Sequence, residues 1–101
     1  MILEVALLDI KPGMSREFEI AFRQAAKLIV TIPGYISRDL QKCLEKSDRY
    51  LLLVSWQKLE DHTIGFRKSQ QYQTWKSLLH HFYEPFPEVE HYYSVLKNRG
   101  L

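Results

Sequence analysis

Residues 2–10, ILEVALLDI, and residues 50–56, YLLLVSW, decide the fold. Successive side chains of a β-strand point to opposite faces. In the first stretch Ile2, Ala6, Leu8 and Ile10 share one face, and Leu3, Val5 and Leu7 share the other. In the second, Tyr50, Leu52, Val54 and Trp56 oppose Leu51 and Leu53. A strand of an antiparallel sheet ordinarily has one apolar face and one wet face. Two apolar faces need two covers. The helices of this chain can cover one of them, so a second copy of the chain is expected to cover the other, as a homodimer.

Working outward, Lys11-Pro12-Gly13 ends the first strand with a turn signal. From Met14 to Thr31, Phe18, Ala21, Phe22, Ala25, Leu28 and Ile29 recur every three or four residues, which predicts a helix with one apolar stripe. Ser15 is the candidate cap, Glu17 suits the first turn, and Pro33-Gly34 stops the helix. Tyr35 to Leu44 alternates as a half-wet strand: Ile36, Arg38, Leu40, Lys42 and Leu44 oppose Ser37, Asp39 and Gln41. The polar turn 45–48 then joins it to Tyr50–Trp56 as an antiparallel hairpin. A second helical region, Leu59 to Tyr83, is expected to break near Gly65 and restart at a Ser69 cap. Its stripe is Tyr72, Trp75, Leu79 and Phe82, and Pro85 and Pro87 end it. A last strand over Phe86 to Leu96 places Val89, His91, Tyr93 and Val95 on one face, and the tail 97–101 is expected to fray.

The order β-α-β-β-α-β is the split βαβ, ferredoxin-like arrangement of the α+β class. It forms one domain over residues 1–101, with both helices on one face of a four-stranded antiparallel sheet. Two such sheets meeting face to face around a two-fold axis would bury the leftover apolar side chains of the first and third strands.

Composition narrows the partners. Net charge is +2, from 14 basic and 12 acidic residues, and Arg67-Lys68 is the densest basic pair. That excludes nucleic acid as the expected partner, which calls for a concentrated basic face. Cys43 is alone, so no internal disulfide forms and a reducing, cytoplasmic setting is expected. The apolar start contains Glu4 and Asp9 and lacks a basic leader, unlike a signal peptide. No run approaches the roughly 20 apolar residues that span a membrane.

Neither a cysteine pair nor a His-Glu-x-x-His spacing points to a metal. Adjacent His80 and His81 point about 100° apart on a helix, and both fall off the apolar stripe, where surface or rim positions are expected. His62 lies in the irregular segment before Gly65, where it can cap a turn or line a pocket mouth. His91 shares a strand face with Val89, Tyr93 and Val95. A buried histidine is often just a hydrogen-bonded core residue, yet imidazole titrates near neutral pH, so His91 is the candidate general base. Arg67 can be a solvated charge beside Lys68 or can steady an anion. Tyr72 and Trp75 have helical core spacing, and each carries a polar handle that a small cavity could use. Trp56 is expected to pack at its strand end under any reading.

The stretch Trp56-Gln57-Lys58-Leu59, then Phe66-Arg67-Lys68-Ser69-Gln70-Gln71-Tyr72, then Trp75, resembles the antibiotic biosynthesis monooxygenase family of small dimeric α+β barrels. There a Trp commonly closes strand 3, followed by a polar turn, a short helix with a Ser-x-x-Tyr step and a longer helix. The resemblance implies a pocket between helices and sheet, and oxidation of a phenol or quinol by O₂ without metal, flavin or other cofactor. A protein doing this binds a flat aromatic, stabilises its anion and excludes water. His91 would then be catalytic, and Trp56, His62, Arg67, Tyr72, Trp75 and Tyr93 would contact the aromatic substrate. Haem-degrading relatives carry an Asn in strand 1, a Trp after strand 3 and a haem-ligating His. Alignment puts Ala6, Gly65 and Trp75 at those positions, and all three depart from the pattern. A third reading is a non-enzymatic dimer, either a ligand-binding or a stress-associated module.

Overall fold

A computed structural model describes residues 1–98. Its elements are β1 (Ile2–Asp9), α1 (Ser15–Ile29), β2 (Tyr35–Lys42), β3 (Arg49–Trp56), a π-helical turn (Asp61–Phe66), α2 (Gln70–Leu79), a 3₁₀ turn (His80–Phe82) and β4 (Val89–Tyr92). The strands form one antiparallel sheet in the order β2-β3-β1-β4, and the helices lie on one face of it. This is the ferredoxin-like α+β fold.

The alternation sets the register. Ile2 pairs with Trp56, Ala6 with Leu52 and Leu8 with Tyr50, so the two apolar sets meet on the same side. There they join Phe18, Phe22, Ala25, Ala26 and Ile29 of α1 and Trp75 and Leu79 of α2 in one core. Trp56, Phe18 and Val54 are fully buried. Each large side chain so buried contributes about 1.5–3 kcal/mol. On the opposite face Leu3, Val5, Leu7, Leu51 and Leu53 have no helix over them, and Leu7 is 43% exposed. The two-faced pattern therefore corresponds to one helix-covered and one open sheet face.

Some local expectations are corrected. Ser15 does not cap α1. Met14 holds that position, and the Ser15 hydroxyl instead donates to Asp48 at 2.7 Å, tying the helix start to the β2–β3 turn. The second helical region breaks at residues 67–69, not at Gly65, which sits inside the π-helical turn. Ser69 does cap α2: its oxygen accepts from the Tyr72 N–H at 3.1 Å. Strand β2 ends before Leu44, which is 95% exposed, and Ile36 is the extra residue of a bulge between Tyr35 and Ser37. Strand β4 is four residues long rather than eleven. Pro85 and Pro87 supply no N–H for a ladder, and the pairing with β1 spans only Ala6–Val89 to Leu3–Tyr92. The expected fraying of 97–101 falls, beyond Asn98, outside the described residues.

Candidate functional site

Between the helix layer and the sheet lies a cavity of about 370 Å³. Glu4, Ala6 and Leu8 of β1, with Leu52 and Val89 beside them, make its floor. Phe66, Tyr72 and Trp75 make an aromatic wall, with Phe66 edge-on to Tyr72 (5.2 Å) and to Trp75 (5.3 Å). Arg67, His80, Tyr83 and Phe86 complete the lining; Arg67 is exposed and Phe86 is 63% exposed, which puts them at the mouth. His80 packs edge-on against Phe86 at 4.9 Å.

The π-helical turn builds one side. π-Helical turns are rare and concentrate at functional sites. Here the Arg67 N–H reaches back to the His62 carbonyl at 3.1 Å. This winding sets the His62 and Phe66 rings nearly parallel, 6.2 Å apart, and His62 also stacks on Trp56 at 5.5 Å. Gly34, just before β2, lies against Asp61 with φ +91° and accepts the Gln57 N–H at 2.8 Å, and the Asp61 carboxylate accepts the Lys58 N–H at 3.0 Å.

The polar heart of the site is a line of three groups. Glu4 is 5% exposed and His62 3% exposed. Glu4 Oε1 accepts the Trp56 Nε1–H at 3.0 Å and lies 3.3 Å from His62 Nε2. His62 Nδ1 lies 2.7 Å from Nε2 of the half-buried His91. Burial pushes the Glu4 carboxyl from 4.5 up to about 7, against the opposing pull of the Trp56 N–H and the Arg67 charge. Burial, with Arg67 and His91 adding to it, pushes His62 down to about 3. His62 is therefore neutral, and its contact with Glu4 is a hydrogen bond rather than an ion pair. His91 is lowered by burial and then by Arg67, His80 by burial and then by Lys76. Burial raises the Tyr83 phenol, and the charges of Tyr72 and Glu4 add to it. Among the described residues no group of three His, Cys, Asp or Glu is arranged to hold a metal ion.

Four of the residues singled out from the sequence, His62, Arg67, Tyr72 and Trp75, line the cavity together. Trp56 lies behind it, fully buried, and acts on it through its bond to Glu4. His91 does not line it; it lies opposite Glu4 in the β1–β4 register and meets His62 at 2.7 Å. Tyr93 lies past the end of β4, 74% exposed, beside a separate depression with Met1, Leu3 and Tyr92. Glu4 was read only as a charge near the N-terminus, yet its place on the covered face among Ile2, Ala6 and Leu8 was a usable signal of burial. Helical phase predicts a surface or dimer-rim position for His80. α2 ends at Leu79, and the tighter 3₁₀ winding turns His80 to the cavity while His81 stays exposed.

A family model for antibiotic biosynthesis monooxygenases matches residues 1–78. The chain belongs to that family. A Bacillus subtilis protein, the uncharacterized YczJ, is 58% identical over 95 residues, 94% of this chain and 100% of that one. A solved Bordetella bronchiseptica structure named for antibiotic biosynthesis monooxygenase superposes with a TM-score of 0.89 at 32% identity, covering 94% of this chain and 97% of that one. SnoaB of Streptomyces nogalater, described as a cofactor-independent oxygenase, superposes with a TM-score of 0.83 over 95% and 94% of the two chains. At 16% identity that likeness is one of fold. No helix among the described residues is long and apolar enough to cross a membrane.

Proposed function

We propose that this protein is a monooxygenase that oxidises a small phenol- or quinol-type aromatic with O₂ and uses no cofactor. The observation that carries the reading is the Glu4–His62 pair opening into an aromatic-walled cavity with Arg67 at its mouth. An ionisable carboxyl costs stability when buried, and groups so perturbed concentrate at functional sites. A base poised near neutral pH suits removal of a phenolic proton.

In this mechanism the aromatic lies against Tyr72 and Trp75. Glu4 takes its hydroxyl proton, and Arg67 steadies the anion that forms. The anion passes one electron to O₂, and the resulting radical pair joins at a ring carbon as a peroxide. For a ring CH₂ in an anthrone-type substrate, the peroxide anion collapses to C=O and hydroxide, and a proton delivered through Glu4 converts the hydroxide to water. One oxygen atom ends in the product and the other in water, and the substrate supplies every electron. The base in this scheme is Glu4 and not His91, because Glu4 lines the cavity and His91 does not.

The working unit proposed is a homodimer formed by the open sheet faces, where Leu7, Leu51 and Leu53 otherwise meet water. The lone Cys43 supports a cytoplasmic setting. The test is oxygen uptake with a panel of quinols and anthrones, spontaneous oxidation subtracted. Uptake that saturates with substrate is expected. Saturable binding of the same compounds without uptake would replace the enzyme with a ligand-binding module.

A further inference from the structure

We propose that Glu4, His62 and His91 form a proton path between the cavity and solvent, through which Glu4 exchanges its proton while a bound aromatic blocks the direct route. The part played in turnover rests on the oxygenase reading; the path itself does not.

The geometry is a continuous chain. Glu4 Oε1 meets His62 Nε2 at 3.3 Å, and His62 Nδ1 meets His91 Nε2 at 2.7 Å. A neutral imidazole has one N–H and one lone pair, so the bond on one nitrogen dictates the state of the other. Exposure changes along the line: Glu4 and His62 are buried, and His91 is half-buried on the edge strand β4. The buried His62 ring packs against both Trp56 and Phe66 and has a partner at each nitrogen, so it passes a proton by tautomer exchange rather than by turning over.

Two states of the chain differ by one proton. With Glu4 ionised, His62 Nε2–H donates to the carboxylate and His91 Nε2–H donates to His62 Nδ1. With Glu4 protonated, its O–H donates to His62 Nε2, and His62 Nδ1–H donates to His91 Nε2. Moving from the second state to the first sends one proton outward from His91, and the reverse takes one in. No imidazolium persists in either state.

The surroundings fit this. From β3 the Trp56 N–H is a donor only, so it favours the carboxylate without joining the relay. Past the π-helical turn, the Arg67 charge opposes imidazolium at both His62 and His91. The phenols of Tyr72 on α2 and Tyr83, with His80 and Lys76 behind them, are the other titratable groups on this side of the cavity.

The test is ¹⁵N-histidine NMR on the full chain across the neutral range. His62 and His91 should switch together from Nδ1–H to Nε2–H as Glu4 ionises, and Glu4→Gln should abolish both switches. Either ring keeping one tautomer throughout, or a switch that survives Glu4→Gln, overturns the path. In turnover, His91→Ala should lower kcat about 100-fold, leave KM unchanged, and regain rate when imidazole is added. Unchanged kcat, or a loss that imidazole does not restore, overturns the relay role. A joint tautomer switch without oxygen uptake by the native protein would sink the oxygenase reading and keep the path.

Discussion

Glu4→Gln isolates the consequence of burying a carboxyl beside an aromatic cavity. Glutamine keeps the side chain's shape and an acceptor for the Trp56 N–H, but it cannot titrate. In the native protein the carboxyl moves from 4.5 unfolded to about 7 folded. Between those values the folded chain holds a proton that the unfolded chain has released. Stability from this group therefore falls as pH rises through the window, by about 1.4 kcal/mol per pH unit and about 3 kcal/mol in all. Below 4.5 the group is protonated in both states, and above about 7 it is ionised in both, so its contribution is flat outside the window. His62 has the opposite sign. Its folded value is about 3 against 6.5 unfolded, so the unfolded chain binds the extra proton and stability rises with pH across that range. Where the windows overlap, both states of the pair carry one proton, on Glu4 when folded and on His62 when unfolded. The native pair is then nearly level with pH, and the variant climbs. Urea unfolding of both proteins should be compared at one protomer concentration, since any dimer couples stability to concentration. The stability of Glu4→Gln relative to native should grow by about 3 kcal/mol between about pH 4.5 and 7.5. A difference constant to within about 0.5 kcal/mol refutes the raised carboxyl.

Other substitutions read other parts of the account. Gly34→Ala forces a side chain onto a φ of +91° and into the Asp61 carboxylate, so it should cost about 2 kcal/mol or more in thermal or urea unfolding. Arg67→Ala removes an exposed charge at the cavity mouth; unfolding should stay within about 0.5 kcal/mol of native, while kcat/KM falls about 100-fold if Arg67 steadies the anion. Leu53→Glu puts a charge in the centre of the open sheet face. Sedimentation should show a dimer for the native chain and a monomer for the variant, and a native monomer at micromolar concentration would remove the face-to-face assembly.

The sheet, the helices and their order were legible because they rest on local periodicity. Alternation in Ile2–Ile10 and Tyr50–Trp56 sets which side chains share a face, and the Phe18-Phe22-Ala25-Ile29 stripe sets the face of α1. Ser69 was legible as a cap because its role is satisfied within three residues. What failed depends on distant partners. The length of β4 is set by its pairing with Leu3–Ala6 of a strand more than 80 residues away in sequence, and Ser15 is drawn from capping by Asp48, 33 residues away. The site was half legible. Tyr72 and Trp75 reach the cavity from a regular helix, whereas His62 depends on π-helical winding and His80 on a 3₁₀ turn, which helical phase does not describe. Glu4 interrupts an apolar face, and its meaning emerges only when Trp56, 52 residues away, and His62 close around it.

Turnover under ¹⁸O₂, with protein freed of metal and no added reductant, shows whether the protein inserts one atom of dioxygen into its substrate. The account predicts one O₂ consumed per product, one ¹⁸O atom in the product, the other in water, and no hydrogen peroxide. Product without ¹⁸O, or hydrogen peroxide formed mole for mole with it, would contradict monooxygenation.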